Sequence, residues 1–213
     1  MNLKSLRPAI YIFNLLLALA IFVLTKNMNA DSAIQAQKLI QIYALVSLGY
    51  LYLALLASPL YAAFPTLPYK GQYVFARRAL GVSAFFFAAL HVYMVTGGSI
   101  SVLSGFFALE GQALIAIVAG MIAFWILAIL AVTSFDVVIQ KLTYKRWKFI
   151  HRLVYLAGIL IVIHAVMLGS HFVNLSTAIP YVFWIAFAFL LILEVIRITK
   201  FVLKLKNSVA TKA

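Results

Sequence analysis

Four histidines are the side chains in this sequence with the clearest capacity for chemistry: His91, His151, His164 and His171. Two of them, His91 and His164, fall within long apolar segments, where ionisable side chains are rare and usually functional. His91 follows Arg78 by 13 residues, and His164 follows Arg152 by 12 residues. If both arginines mark the same membrane face, the helical rise places both imidazoles roughly 18–20 Å from that face.

Two imidazoles at one depth on different helices can be the two axial ligands of a heme that lies between them. Such ligation gives six-coordinate, low-spin iron, which carries single electrons and has no open site for oxygen. For either histidine alone, an interhelical hydrogen bond is the alternative. A proton relay usually recruits buried carboxylates, and none of the four acidic residues lies deep in the third to fifth apolar segments: Asp31, Glu110, Asp136 and Glu194.

His151 lies 13 residues before His164, which separates the two by about 140° on a straight helix. The two histidines would face the same neighbouring helix only if their own helix carried a π-bulge or a similar distortion. Arg77 precedes His91 by 14 residues and shares nearly the same helix face. We therefore expect His151 to face an arginine, with no second bis-histidine heme from these two helices. We expect His171 to be a solvated loop histidine.

Arg77, Arg78 and His151 are predicted to form an inner site that binds heme propionates, a quinone or a flavin phosphate. Arginine suits these anionic groups because its planar guanidinium donates paired hydrogen bonds. The alternative is that both arginines serve only to anchor the topology of the chain in the membrane.

The elements that position these residues are predicted from hydropathy. Of the 213 residues, 66% are hydrophobic and 10% are charged, which is typical of a membrane protein. Because about 20 apolar residues span the hydrocarbon core, we expect an all-α bundle of six transmembrane helices. Their approximate ranges are 8–24, 39–57, 73–96, 113–133, 149–168 and 178–198. We expect a single domain over 1–213, a retained first helix rather than a signal peptide, and a short basic tail at 199–213.

The 17 basic residues are distributed unevenly about these helices. If both termini are cytoplasmic, fifteen positive charges are cytoplasmic and only Lys26 and Lys38 are external, as the positive-inside rule requires. This predicts a multi-pass protein of the bacterial cytoplasmic membrane whose basic clusters meet anionic lipid, with no role for nucleic acid. The chain has no cysteine, which excludes disulfides, thiolate metal sites and iron–sulfur clusters.

Three segments resemble a known family. Residues 77–93 read RRALGVSAFFFAALHVY, residues 130–136 read LAVTSFD, and residues 147–164 read WKFIHRLVYLAGILIVIH. Together they are similar to the ferric reductase-like transmembrane domain, and most similar to its MsrQ branch, the heme-binding subunits of bacterial methionine sulfoxide reductase systems. The resemblance is strongest over 77–168.

The resemblance implies heme b ligated by His91 and His164, with His151 as a further heme ligand, and therefore one heme or two. It implies an electron-transfer subunit rather than a complete enzyme. Electrons would come from quinol or a separate flavin reductase, with FMN or quinone at the cytoplasmic side, and would pass to an external, MsrP-like molybdopterin reductase. Arg77 stands where two-heme relatives with a flavin domain place a histidine, which favours the MsrQ branch.

Two other functions remain open on the sequence alone. The apolar loop 97–111 differs from the basic, proline-containing loop expected in the MsrQ branch, so a stand-alone ferric or other metal reductase is one alternative. The other is a transporter or scaffold without heme, in which the histidines only form hydrogen bonds between helices.

Overall fold

The computed structural model describes residues 3–97, 105, 109–169, 172 and 177–210. The helices are α1 (Leu3–Met28), α2 (Ser32–Ala63), α3 (Lys70–Thr96), α4 (Gly111–Val132), α5 (Asp136–Lys141), α6 (Tyr144–His151), α7 (Leu153–Leu168) and α8 (Ala178–Ala210). Within the described residues, six helical stretches are long and apolar enough to cross a membrane, and α6 with α7 forms the fifth of them. The predicted all-α, six-helix membrane fold is confirmed.

Local sequence signals set several helix ends. The Asp31 side chain accepts a hydrogen bond from the backbone N–H of Ala33 at 2.7 Å and caps the start of α2, as short acidic side chains do at helix N-termini. Thr143 caps α6 in the same way through the N–H of Arg146. Gly97 ends α3 with a φ of 58°, a left-handed conformation that glycine adopts without steric cost.

The bundle consists of two helical hairpins with two further helices on the outside. Helix α2 packs along α3, and α4 packs along α7; the two hairpins meet mainly where α3 contacts α4. Helix α1 lies against α2 and α3, whereas α8 packs principally against α2. A hydrophobic core formed by all four hairpin helices lies in the middle: Leu51, Ala84, Ile126, Leu127, Leu130 and Ala157.

A buried polar network fastens α1 to the first hairpin. Asn14 of α1 donates to the Ser83 hydroxyl of α3 and accepts a hydrogen bond from the Tyr50 hydroxyl of α2. Asn14 and Ser83 are only 2% and 1% exposed, so their polar groups are satisfied almost wholly inside the protein. Since water is absent from the hydrocarbon core, such pairings hold helices together there.

The fifth span is not a straight helix. The N–H of Arg152 bonds to the carbonyl of Phe149, and the N–H of Tyr155 bonds to the carbonyl of Arg152, each at 3.1 Å. These three-residue steps tighten the backbone between α6 and α7, the opposite of a π-bulge. The straight-helix angle between His151 and His164 therefore does not apply, and the distortion that the sequence left open is a local tightening.

One end of the bundle gathers the contacts between basic side chains and neighbouring helices, and we call it the basic end. There Arg7 of α1 lies over the Phe75 ring of α3 at 4.0 Å, and Lys200 of α8 donates to the Ala62 carbonyl of α2 at 2.8 Å. Residues 98–104, 106–108 and His171 lie outside the described residues, so the expectations about them stay predictions.

Candidate functional site

The structure brings His91 and His164 together from different hairpins. The centres of the two imidazole rings are 6.3 Å apart, and the ring planes are nearly perpendicular, at 82°. His91 projects from α3 and His164 from α7, so the pair bridges the gap between the hairpins. This juxtaposition agrees with the equal depth inferred from the positions of Arg78 and Arg152.

Each of these rings is held by a backbone carbonyl of the neighbouring helix in its own hairpin. His91 Nδ1 lies 2.9 Å from the Ile40 carbonyl of α2, and His164 Nδ1 lies 2.9 Å from the Ala116 carbonyl of α4. A carbonyl can only accept, so Nδ1 carries the proton in both rings. The lone pair is then on Nε2, the nitrogen through which an imidazole so anchored binds a metal.

The geometry suits one metal atom between the two rings. Two metal–nitrogen bonds of about 2 Å each, plus the distances from the nitrogens to their ring centres, add up to roughly 6 Å. Among the described residues, no group of three or more histidine, cysteine, aspartate or glutamate side chains could hold a metal ion. A metal here would need its other ligands from a non-protein group, as the ring nitrogens of a heme provide.

Gly120 of α4 makes room for the His164 ring. A Cβ atom at this position would lie 2.6 Å from His164 Nδ1 and 2.9 Å from its Cε1, closer than van der Waals contact allows. The Ala116 carbonyl and the bare backbone at Gly120 therefore form one surface on α4, against which the imidazole lies. Gly120 therefore accommodates the histidine ring.

His151 is at the basic end and is not paired with another histidine in the described part of the chain. Its Nδ1 lies 3.1 Å from the Trp147 carbonyl, and its Nε2 lies 3.3 Å from the Ser134 hydroxyl. The ring also stacks on the Trp147 indole, with centres 4.2 Å apart. Both ring nitrogens are thus engaged by protein groups.

Arg77 turns toward α2 rather than toward His151. Its Nε donates to the Ala54 carbonyl and its Nη1 to the Ser58 hydroxyl, both at 3.0 Å. These two hydrogen bonds fix the guanidinium between α2 and α3. Of the expected inner site of Arg77, Arg78 and His151, Arg77 is thus bonded to α2, and the grouping of the three residues stays a prediction.

Arg78 faces the turn between α4 and α5. It donates to the Ser134 carbonyl at 3.1 Å and forms an ion pair with Asp136. This hydrogen bond and the positive charge of Arg78 hold the pKa of Asp136 below its usual value, so the pair persists until the pH falls through that lowered pKa. Ser134 thereby contacts both Arg78 and His151.

A cavity of about 260 Å³ lies beside Arg78 at the basic end. Trp147 and Tyr144 form its aromatic side, and Ile139 and Leu142 form its apolar side. The Trp147 indole donates to the Thr133 carbonyl at 3.1 Å and so is fixed between the cavity and His151. Sequence reasoning missed this role, because a tryptophan near a helix end is equally expected of an interfacial belt.

Comparisons with known proteins match this architecture. Residues 40–162 match the family described as ferric reductase like transmembrane component. The matched segment is more than half of the chain and contains His91, His151 and both arginines; His164 follows two residues beyond its end. It runs from α2 into α7, so it contains most of both hairpins and excludes α1 and α8.

Curated relatives match between 41% and 56% of the chain. The heme-binding subunit MsrQ of protein-methionine-sulfoxide reductase from Klebsiella pneumoniae is 37% identical over 124 residues, 56% of this chain and 57% of the relative. MsrQ from Ralstonia nicotianae is 31% identical over 90 residues, 41% of each chain. The magnetosome protein MamZ from Magnetospirillum gryphiswaldense is 35% identical over 95 residues, 45% of this chain and 15% of the relative.

These matches span at most 57% of the length of the relatives named. The family match, by contrast, covers more than half of the chain and most of both hairpins that position the histidine pair. On the fold and on this match, the chain is a member of the ferric reductase-like transmembrane component family.

Proposed function

We propose that this protein is an electron-transfer subunit that carries heme b between His91 and His164 and passes single electrons across the bacterial cytoplasmic membrane. The observation that carries the proposal is the 6.3 Å separation of two imidazoles whose Nδ1 atoms are both bonded to backbone carbonyls. The relatives named MsrQ, described as heme-binding subunits, support the same assignment.

The residues around the pair have distinct roles in this function. A bound heme would supply a reversible one-electron change at its iron. The Ile40 and Ala116 carbonyls accept the Nδ1 protons, which fixes the tautomers, orients the rings and raises the basicity of Nε2. His91 and His164 would together hold the heme, and a heme so held would carry single electrons without binding oxygen at its iron.

A single heme accounts best for the arrangement. The space between the histidine pair and the basic end is filled by the packed side chains of the central core, including Leu51, Ala84 and Leu127. Arg77 is bonded to α2, and both nitrogens of His151 are engaged by protein groups. We therefore propose that His151 supports the basic end rather than ligating a second heme.

Electrons would enter from the basic end, which we place in the cytoplasm together with both termini and next to anionic lipid. The donor would be quinol or a separate flavin reductase, and the cavity beside Arg78 and Trp147 is where a flavin such as FMN or a quinone ring would bind at that face. Its aromatic wall and its guanidinium suit a flat, partly anionic ring system. Arg77 is not part of that cavity in this proposal.

The acceptor would be an external redox protein. We propose an MsrP-like molybdopterin reductase that repairs oxidised methionine; in support, the MsrQ relatives are named heme-binding subunits of protein-methionine-sulfoxide reductase. The alternative function, a stand-alone metal reductase, differs in its acceptor. If the protein is a metal reductase, membranes that contain it but no molybdopterin partner should reduce ferric chelates. Without such turnover, the partner-dependent function stands.

A scaffold role without heme accounts for only one of the two ring nitrogens of each imidazole. The carbonyl bonds satisfy Nδ1 of His91 and His164, but Nε2 of either ring makes no hydrogen bond to a described residue. A ligand at Nε2 would use the remaining nitrogen of both rings at once.

The decisive test is the absorption spectrum of purified protein expressed with ample heme. His91→Ala and His164→Ala should each abolish the low-spin Soret and α bands, whereas His171→Ala should leave them unchanged. We also expect His151→Ala to keep the bands at one heme per chain. The proposal fails if wild-type protein binds no heme, or if His91→Ala and His164→Ala both retain the wild-type spectrum.

A further inference from the structure

Arg7 of α1 has a side-chain nitrogen that the described part of the chain leaves without a hydrogen-bond partner. The guanidinium lies over the Phe75 ring of α3, with Cζ 4.0 Å from the ring centre. Its Nε is buried and makes no hydrogen bond to a described residue. Because buried polar groups in folded proteins nearly always have a partner, this nitrogen points to an acceptor outside the chain.

The surroundings of Arg7 carry an excess of one positive charge. Phe75 precedes Arg78 by three residues on α3, and residues at that spacing are neighbours on one helix face, so Arg7 lies near Arg78. Arg78 is paired with Asp136. The hydrogen bond and the charge of Arg78 lower the pKa of Asp136, and the charge of Arg7 lowers it further. Because the ion pair is neutral, the charge of Arg7 is the one that remains.

Arg7 lies at the depth of the lipid phosphates. The first of the apolar spans begins at Ser5, so Arg7 is in its first turn, where the hydrocarbon core gives way to the head groups. Further along α1, Leu15, Leu19 and Phe22 are exposed. They form an apolar stripe, the α1 stripe, about a quarter turn around the helix from Arg7. A lipid with its phosphate at Arg7 therefore has a surface for its acyl chains on the same helix.

The charge and the depth of the site limit what can bind there. A water molecule would satisfy Nε but leave the charge of Arg7 unbalanced. A phosphodiester balances that charge, and its oxygens accept paired hydrogen bonds from a guanidinium. In a zwitterionic phospholipid the ammonium cancels this advantage, and Asp136, which would attract the ammonium, is engaged by Arg78. An anionic phospholipid therefore fits best.

We propose that Arg7 binds the phosphate of one anionic phospholipid, whose acyl chains lie along the α1 stripe. This is a defined site, in contrast to the general attraction of basic clusters for an anionic membrane surface. It is separate from the cavity beside Arg78, whose lining includes neither Arg7 nor Phe75. It does not depend on the proposed electron-transfer function, because α1 lies outside the segment that matches the family and carries neither histidine of the pair.

Three substitutions separate a site at Arg7 from a surface effect. Arg7→Gln removes the charge, whereas Arg7→Lys keeps the charge but replaces the planar guanidinium by a single ammonium. Lys204→Gln, at an exposed position near the end of α8, removes the same charge and is the matched control. All are purified as the full chain, and Arg7→Lys keeps the test available if Arg7→Gln does not fold.

The readout is native mass spectrometry of protein titrated with dioleoyl phosphatidylglycerol, which counts the bound lipids and gives the affinity of the first. We expect one phosphatidylglycerol to bind wild-type protein more tightly than any further one. Loss of the charge-assisted hydrogen bonds should weaken this first affinity by about 10- to 100-fold in Arg7→Gln and by less in Arg7→Lys. Lys204→Gln should leave it nearly unchanged, because an exposed charge contributes little.

Two further ligands identify the source of the phosphate. Dioleoyl phosphatidylethanolamine should bind wild-type protein more weakly than phosphatidylglycerol, and inorganic phosphate should not displace the bound lipid. Equal affinity for the two lipids, or displacement by inorganic phosphate, would overturn the inference. Wild-type affinity in either Arg7 variant would overturn it as well, and equal losses in Arg7→Gln and Lys204→Gln would replace it by a general attraction to the basic end. The heme spectrum of the Arg7 variants should match that of wild type, so the proposed function is tested separately.

Discussion

At the level of single residues, the pairing of His91 with His164 could be predicted because helical rise converts sequence distance into depth. Counting from Arg78 and Arg152 gave both imidazoles the same depth, and the ring centres are 6.3 Å apart. The partners of the rings could not be predicted, because every residue carries a backbone carbonyl and nothing distinguishes those of Ile40 and Ala116. The direction in which His151 projects from its helix could not be predicted either, because it depends on the tightened backbone at Arg152.

Gly120 allows a test at this scale that leaves both histidines in place. Gly120→Ala would put a methyl group 2.6 Å from His164 Nδ1, so the ring must shift and its bond to the Ala116 carbonyl should weaken. Loss of such a supporting contact lowers metal-site affinity by about 10- to 100-fold. We expect faster loss of heme to a heme scavenger and altered low-spin electron paramagnetic resonance lines. Gly81→Ala, which introduces a methyl into open space, is the control, and identical behaviour of the two variants would contradict the role of Gly120.

At the level of elements, hydropathy predicted six spans and missed what lies outside the hydrocarbon core. Helix α8 continues past its predicted end at 198 to Ala210, and α2 begins at Ser32 rather than near 39. These extensions are polar or mixed, and hydropathy reports only the apolar part of a helix. The short helix α5 (Asp136–Lys141) was missed for the same reason. The position and kind of the break at Arg152 could not be predicted, because neither proline nor glycine marks it.

The attachment of α1 offers a test at the scale of elements. Asn14→Ala removes the link between Tyr50 and Ser83, and membrane-buried polar contacts of this kind contribute about 0.6–1.7 kcal/mol. We expect a loss of stability of that size in a reversible unfolding titration in detergent, with the heme spectrum largely kept. Leu15→Ala, on the exposed side of α1, should have a smaller effect. Equal losses in the two variants would show that the network does not fasten α1.

For the whole molecule, the charge asymmetry predicts orientation, and the chain is convenient for testing it because it contains no cysteine. Asn27→Cys and Ser208→Cys each place one exposed thiol at opposite ends of the bundle. In intact cells with a permeable outer membrane, a charged maleimide that cannot cross the cytoplasmic membrane should label Asn27→Cys. Ser208→Cys should react only after lysis. The reverse pattern would place both termini outside and invert the proposed direction of electron flow.

Each hairpin carries half of the proposed iron site: α2 with α3 holds His91, and α4 with α7 holds His164. During synthesis the first hairpin is inserted before the second has been translated, so the cofactor can be captured only late in biogenesis. Until then the hairpins are joined mainly along α3 and α4. A heme that bridges the two hairpins would hold them together, and membrane proteases would degrade chains that remain without heme. The amount of this protein in the membrane should therefore follow the heme supply of the cell.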